Sequence, residues 1–304
     1  MKELWVEKYR PKTIKEYVFR DEHQKQQVER WLKEETIPHL LFSGSAGIGK
    51  TTLAKILCDE LGINDLDILE INASRENNVD TVRDKIINFV QMIPFGPFKV
   101  VLLDEADYLS PNAQAALRGV MEEYHATSRF ILTCNYPNRI IPALHSRCQG
   151  FHVERVDINE FTARVATILV EENVEFDLDT LDTFVKATYP DLRKCIQLVQ
   201  QNSLNGKLHM PEKGDSSEAD YRIEMVELFK KGKISEARKL VCGQARPEEI
   251  EEIFRWLYDN VALFGDDSQQ EKAILIIKQG IVDHTLVNDP EINLAATLIR
   301  LSHL

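Results

Sequence analysis

Residues 44–52 read Gly-Ser-Ala-Gly-Ile-Gly-Lys-Thr-Thr. They lie between the apolar run His39-Leu40-Leu41-Phe42 and a stretch with helical spacing, Leu53, Ile56, Leu57 and Leu61, that stops at Gly62. Few features limit a fold as strongly. The pattern G-x-x-x-x-G-K-[ST] needs a buried strand before it and a helix after it, and both are written here. Glycines let successive backbone N–H groups turn toward phosphate oxygens, and the helix N-terminus adds a favourable dipole. Gly44, Ser45, Ala46, Gly47, Ile48, Gly49, Lys50, Thr51 and Thr52 are therefore expected to line a nucleotide phosphate site. Lys50 is expected to reach the β/γ phosphates, and the Thr51 hydroxyl to hold Mg2+. The bland alternative is an accidental glycine turn.

About fifty residues later comes Val-Val-Leu-Leu-Asp-Glu-Ala-Asp, 100–107. An Asp at the end of a buried strand suits a Mg2+ shell, so Asp104 joins Thr51 as the metal pair. Glu105 is placed to orient or activate the attacking water; the alternative is two surface acids after a strand. Asp107 is read as structural or solvated. Asn135 ends the strand Phe-Ile-Leu-Thr-Cys-Asn and is either a turn residue or a contact to the γ-phosphate or the water. Arg147, in Leu-His-Ser-Arg-Cys, is either a surface ion pair or a guanidinium offered to phosphate; spacing does not choose between them.

Five strands alternate with helices up to residue 156: His39–Gly44, Leu66–Ser74, Phe98–Asp107, Arg129–Asn135 and Gly150–Val156. This predicts an α/β fold with a mostly parallel sheet covered on both faces. Ser110 and Pro111 read as the N-cap and first position of one covering helix. From 157 to 208 the pattern changes to short helices. Residues 209–219 are polar and rich in Gly, Pro and Ser, a linker. Residues 220–304 read as helices throughout, an independent domain. The 304 residues carry 37 basic and 49 acidic side chains. The excess is uneven: 20 basic and 22 acidic lie in 1–156, against 17 and 27 in 157–304. A basic patch could thus exist in the first block, although composition alone does not show one. Cys58, Cys134, Cys148, Cys195 and Cys242 show no CxxC spacing, which fits a reducing compartment and gives no zinc signal. No 18-residue apolar run and no signal peptide is present, so the expected place is intracellular: a bacterial or virus-infected cytoplasm, or a nucleus.

Taken together, residues 4–156 resemble the small subunits of the sliding-clamp loader, replication factor C-like AAA+ ATPases. The matching segments are Leu4–Val18, Pro38–Thr52, Leu69–Ser74, Val82–Phe89, Val100–Arg118, Arg129–Cys148 and Asp191–Gln200. The resemblance implies an AAA+ core (1–156), a helical lid (157–208), the linker, and a helical collar for oligomerisation (220–304). It implies ATP and Mg2+ as cofactors. The implied partners are homologous or identical subunits in a pentamer, a sliding clamp and primer–template DNA, with no membrane. By motif, Tyr9, Arg10 and Val18 fall near the base and the subunit interface. Asn135 matches the first sensor, Arg147 a trans-acting arginine finger and Arg193 the lid sensor; Asn72 matches the residue that restrains the catalytic glutamate, and Arg118 a residue linked to the neighbouring site and to DNA.

Departures from the family pattern are specific. Where members read Asn-Ala-Ser-Asp-Glu-Arg-Gly, this chain reads Asn-Ala-Ser-Arg-Glu-Asn-Asn, so Asn77-Asn78 replace Arg-Gly and Arg75 stands two positions earlier. Gly119 replaces the usual second Arg after Arg118. DNA contacts are expected from Arg75, Arg83 and Arg118, with help from backbone N–H groups at Ser74 and Ser110. Phe89, Met92, Ile93, Phe95 and Phe98 are too apolar for a solvated loop; they cap the core or dock on the clamp. Two other functions stay open: a different AAA+ DNA-remodelling ATPase, and an ATP-binding scaffold with little turnover.

Overall fold

A computed structural model describes residues 3–19, 21–75, 79–153, 155–211 and 220–304. Asn77 and Asn78, and most of the 209–219 linker, lie outside the described residues. The chain forms two compact units, Met1–Ala163 with Pro190–Lys194, and Arg164–Tyr189 with Cys195–Leu304.

The first unit is built on five strands: β1 (Leu40–Ser43), β2 (Ile68–Asn72), β3 (Lys99–Asp104), β4 (Ser128–Cys134) and β5 (Gln149–His152). Their order is β2-β3-β4-β1-β5, and every pairing is parallel. The reason lies in the side chains. Parallel strands covered on both faces need apolar residues at every position, and successive residues point to opposite faces. Leu40, Phe42, Val100, Leu102, Ile131 and Phe151 pack into one core layer. Leu41, Val101, Leu103, Phe130 and Leu132 pack into the other.

The helices of this unit are α1 (Trp5–Lys8), α2 (Glu22–Lys33), α3 (Lys50–Glu60), α4 (Val79–Val90), α5 (Pro111–Glu123) and the short α6 (Pro142–His145). Helix α3 supplies Leu53, Ala54, Ile56 and Leu57 to the first layer, beside Val28 and Trp31 of α2. Ile86 and Val90 of α4, and Ala113, Leu117, Val120 and Met121 of α5, cover the opposite face. Helix α2 has no counterpart in the sequence reading. Its stretch is dominated by polar residues, and only the Asp21 side chain, accepting from Gln24 N–H at 2.8 Å, signals its start. Gly119 faces solvent, and a Cβ built there would meet nothing within 4 Å, so it relieves no close contact.

The second unit is helical: most of α7 (Ile158–Glu171) and α9 (Leu192–Gln201), with α8 (Leu178–Thr188), α10 (Asp220–Lys230), α11 (Ile234–Gln244), α12 (Ile250–Asp259), α13 (Asp267–His284) and α14 (Pro290–Leu301). Its core includes Phe229, Val241, Ile253, Phe254, Leu257, Ile277, Leu294 and Leu298. Helix α8 is tied to the later helices: the Lys230 ammonium meets Asp179 and Asp182 at 2.9 and 2.6 Å, and the Trp256 indole N–H donates to Lys186 O at 2.7 Å. Contacts thus gather the helices on either side of the linker stretch into one unit. The polar stretch from Asn205 also begins with structure. Ser203–Leu204 and Lys207–Leu208 pair antiparallel around Asn205 and Gly206, both with positive φ (53° and 75°). Asn-Gly is the dipeptide that a two-residue hairpin turn favours. Among the described residues no helix is long and apolar enough to cross a membrane.

Candidate active site

Strand order creates the site. β4 lies between β1 and β3, so the three C-terminal strand ends stand side by side. The loop after β1 carries Gly44–Gly49, β3 ends in Asp104, and Asn135 follows β4. Ligands in open parallel sheets bind at these carboxyl ends.

The glycine loop is shaped for close approach. Gly47 has φ 73° and Gly49 has φ 95°. A Cβ on Gly47 would collide with the Asp191 carboxylate, and one on Gly49 would stand 3.1 Å from the Tyr17 ring. Gly44 N–H donates to Cys134 O, fastening the loop to the end of β4. Ser45 and Ala46 form the exposed tip, Ile48 is buried, and Thr52 lies half-buried in α3.

Lys50 is the first residue of α3, and its side chain is buried. The ammonium donates to Gly44 O at 2.8 Å, Ser45 O at 2.6 Å and Asn135 Oδ1 at 2.8 Å. Burial lowers its pKa to about 8, against the opposing pull of Cys134, Asp104 and Asp107; the Arg193 charge lowers it further. Arg193 is thus within electrostatic reach of Lys50, although its own side chain is exposed.

The acidic side is equally ordered. Asp104 Oδ1 accepts from Thr51 Oγ1 and from Thr133 Oγ1, both at 2.6 Å. The Thr51 hydroxyl and the Asp104 carboxylate form a pair of hard oxygens of the kind Mg2+ takes beside nucleotide phosphates. Glu105 sits at φ 57°, a left-handed conformation rare outside glycine, and its N–H donates to Thr133 Oγ1 at 3.0 Å. Thr133 therefore sets both acids. Asp107, read as structural or solvated, is buried: one oxygen accepts from Asn135 N–H (3.2 Å) and Tyr136 N–H (3.1 Å). Its other oxygen is buried without a partner among the described residues. Asp107 fixes the backbone from which Asn135 reaches Lys50.

Thr133, Asp107 and Tyr17 were not singled out for this site from sequence. A Thr inside a strand run carries no local signal, and strand order alone brings Thr133 beside Asp104. Tyr17, followed by Val18 and Phe19, reads as ordinary core and reaches Gly49 from the turn after α1. Gln114 is similar: buried in α5, it donates to Leu109 O and Arg139 O and accepts from Ile141 N–H.

The remaining expected residues spread more widely. Asn72 is level with Asp104 in the β2–β3 register, and its amide oxygen accepts from Ser74 Oγ (2.6 Å), Ser74 N–H (3.0 Å) and Arg75 N–H (3.3 Å). The Ser74 N–H expected for a phosphate is thus engaged within its own turn. Ser110 Oγ caps α5 by accepting from Ala113 N–H at 3.2 Å. Arg75 and Arg118 are exposed, and Arg83 meets Asp84 at 3.3 Å. Val18 is half-buried beside Tyr17. Tyr9 ends α1 with the Lys8 ammonium 5.1 Å from its ring, and Arg10 pairs with Glu7 at 3.2 Å. Arg147 is not at the glycine loop: it follows α6 and pairs with Glu122 of α5.

Residues 40–155 match the model of the ATPase family associated with various cellular activities. Glycine loop, acid pair and strand-end Asn all fall within that span, and the chain is an ATP-hydrolysing enzyme of this AAA+ class. It is 39% identical to the replication factor C small subunit of Archaeoglobus fulgidus, over 99% of this chain and 98% of that one. With the same protein of Sulfurisphaera tokodaii it is 37% identical, over 98% and 95%. The chain belongs to the replication factor C small-subunit family. The Thermotoga maritima RuvB Holliday junction branch migration motor shares the fold, with a TM-score of 0.55 over 81% of this chain and 80% of that one, at 17% identity.

Proposed function

We propose that this chain is an ATPase subunit of a sliding-clamp loader, which opens the clamp and places it on primer–template DNA, and that Arg147 completes a neighbouring subunit's site. One observation carries the second part. In the parallel register Gln149 is level with Leu40, the first residue of β1. Arg147 therefore lies at the sheet's N-terminal edge, while Lys50 lies beyond its C-terminal edge. Four residues of strand separate them by about 13 Å, before the loop is counted. A guanidinium there cannot serve its own nucleotide, but it can serve one on an adjacent protomer.

Within one subunit, Gly44–Gly49 and Lys50 hold the phosphates, and Thr51 and Asp104 hold Mg2+. Glu105 orients the water, Asn135 and Arg193 contact the γ-phosphate, and Tyr9, Arg10 and Val18 lie toward the base. Mg2+ would neutralise charge developing between the β and γ phosphates. Asn72 restrains Glu105 until DNA is present.

Other surfaces support the reading. Met92, Ile93 and Phe95 are 61%, 88% and 75% exposed, an apolar knuckle after α4 suited to clamp docking. Exposed Ile274, Leu275, Ile281 and Val282 on α13 suit contact with neighbouring subunits in a pentamer. Arg75, Arg83 and Arg118, with the α5 start at Ser110, are the DNA-facing candidates.

The test is ATP turnover of the full assembly purified through this chain, with and without clamp and primed DNA. Arg147→Ala should lower stimulated turnover by roughly a thousandfold or more while ATP still binds. Turnover unaffected by Arg147→Ala, or full turnover by the lone chain regardless of DNA, would refute the reading.

A further inference from the structure

The Arg147 side chain is held within its own chain. One terminal nitrogen donates to Ala143 O at 2.8 Å and lies 3.3 Å from Ser146 Oγ. The other pairs with the Glu122 carboxylate, in the last turn of α5. The remaining nitrogen, Nε, is buried with no hydrogen-bond partner among the described residues. These facts pull in opposite directions. An ion pair favours this position, while an unsatisfied buried donor costs free energy that another placement would recover. The Arg147 and Glu122 side chains are 30% and 48% exposed, so the pair is solvent-screened and of modest strength. A side chain so held is restrained but releasable.

We propose that Glu122 is a latch for the arginine finger: it holds Arg147 in cis and yields it to the neighbour's triphosphate only when the subunits close. The inference rests on the trans role of Arg147 proposed above. Chemistry gives the direction. A carboxylate and a phosphate compete for the same guanidinium fork. The monoanionic Glu122 holds it when the neighbour is distant; the more highly charged triphosphate, brought close, takes it. Glu122 touches no reacting atom and is a positioning residue. Its effect is on the difference between unstimulated and stimulated turnover.

Glu122→Gln keeps the shape and removes the charge. In the full assembly it should raise ATP turnover without clamp and DNA roughly two- to fivefold, the range a partly exposed ion pair supports. The rate with clamp and primed DNA should stay at the parent value, so the stimulation ratio shrinks. Glu122→Asp should keep the parent ratio better than Glu122→Gln. In an Arg147→Ala background, Glu122→Gln should change nothing, an epistasis that a merely structural role would not produce. The latch is overturned if Glu122→Gln leaves the ratio unchanged, or lowers both rates in proportion, while Arg147→Ala still abolishes turnover. If Arg147→Ala itself leaves turnover intact, the trans reading falls and takes the latch with it.

Discussion

Asp67 and Lys99 form an ion pair buried in the first unit, with Asp67 at 0% and Lys99 at 1% exposure. The carboxylate makes three contacts: Lys99 Nζ at 3.0 Å on one oxygen, and Phe95 N–H and Gly96 N–H, both at 2.8 Å, on the other. The Lys99 ammonium also lies 4.3 Å from the Phe89 ring centroid. The pair therefore pins the loop that displays Met92, Ile93 and Phe95. Asp67→Asn leaves the Lys99 charge buried without its counter-ion and faces an amide N–H toward donors. Breaking one side of such a pair costs about 3–5 kcal/mol, whereas replacing both partners by apolar groups is often near neutral. Urea unfolding followed by circular dichroism should show the first unit losing that amount in Asp67→Asn. Asp67→Leu combined with Lys99→Met should recover only the part due to the orphaned Lys99 charge, because the Phe95 and Gly96 N–H groups still lose their acceptor. Acid adds a second reading. Burial alone would raise the Asp67 carboxyl, but the hydrogen bonds from Gly96, Lys99 and Phe95, with the Lys99 charge, outweigh it and hold the group below its ordinary value of 3.8. The stabilisation is then fully present above 3.8 and is lost as pH falls through the lowered folded value. A loss under about 1 kcal/mol in Asp67→Asn, or an acid transition identical to the parent's, would mean that the pair does not anchor this loop.

Gly47→Ala should weaken ATP binding by about tenfold or more, since φ 73° disfavours a side chain and the methyl meets Asp191. Calorimetric titration checks this, and a Kd within twofold of the parent counts against it. Lys50 has a pKa of about 8, and phosphate binds its protonated form. The Kd for ATP should therefore be flat below pH 8 and rise above it by up to about tenfold per unit; a flat profile to pH 9.5 would show that this ammonium does not hold phosphate. Asp107→Ala removes the acceptor of two part-buried N–H groups, those of Asn135 and Tyr136, and frees the Asn135 backbone. Steady-state kinetics should show kcat falling at least about tenfold with KM little changed; an unchanged kcat refutes the positioning role.

Whether a feature is legible in the sequence depends on the range of the interactions that make it. The three central strands are legible because both-face burial leaves uninterrupted apolar runs such as Val100–Leu103 and Phe130–Leu132. The edge strands β2 and β5 are more exposed, and only part of their length is apolar. Gly44–Thr51 is legible because phosphate binding uses consecutive backbone groups, so the whole device lies within one short stretch. Thr133 and Asp107 are not, since each works through a neighbour across the sheet, Thr133 on Asp104 and Asp107 beneath Asn135. Helix α2 escapes for a different reason: only Val28 and Trp31 of its residues are buried, too sparse for a period of 3.6 to stand out. The knuckle after α4 is readable as too apolar for solvent. That Met92, Ile93 and Phe95 face outward while Phe98 turns inward follows from the Asp67 anchor, which lies 28 residues before Phe95.

The position of Arg147 ties these elements into one physical argument. A parallel sheet sends every strand's C-terminal end the same way, so all groups reached by forward connections from β1, β3 and β4 collect at one edge. A residue entering β5 must stand at the other edge, because β5 runs parallel to β1. Arg147 is such a residue, and no change of its rotamer crosses the sheet. The separation of lysine and arginine is then a property of topology, independent of loop detail. A hydrolytic step that uses both must draw them from two chains, and its rate must depend on how those chains are packed. Glu122 pairs with Arg147 on that same edge, which is why the latch proposed above would answer to the packing.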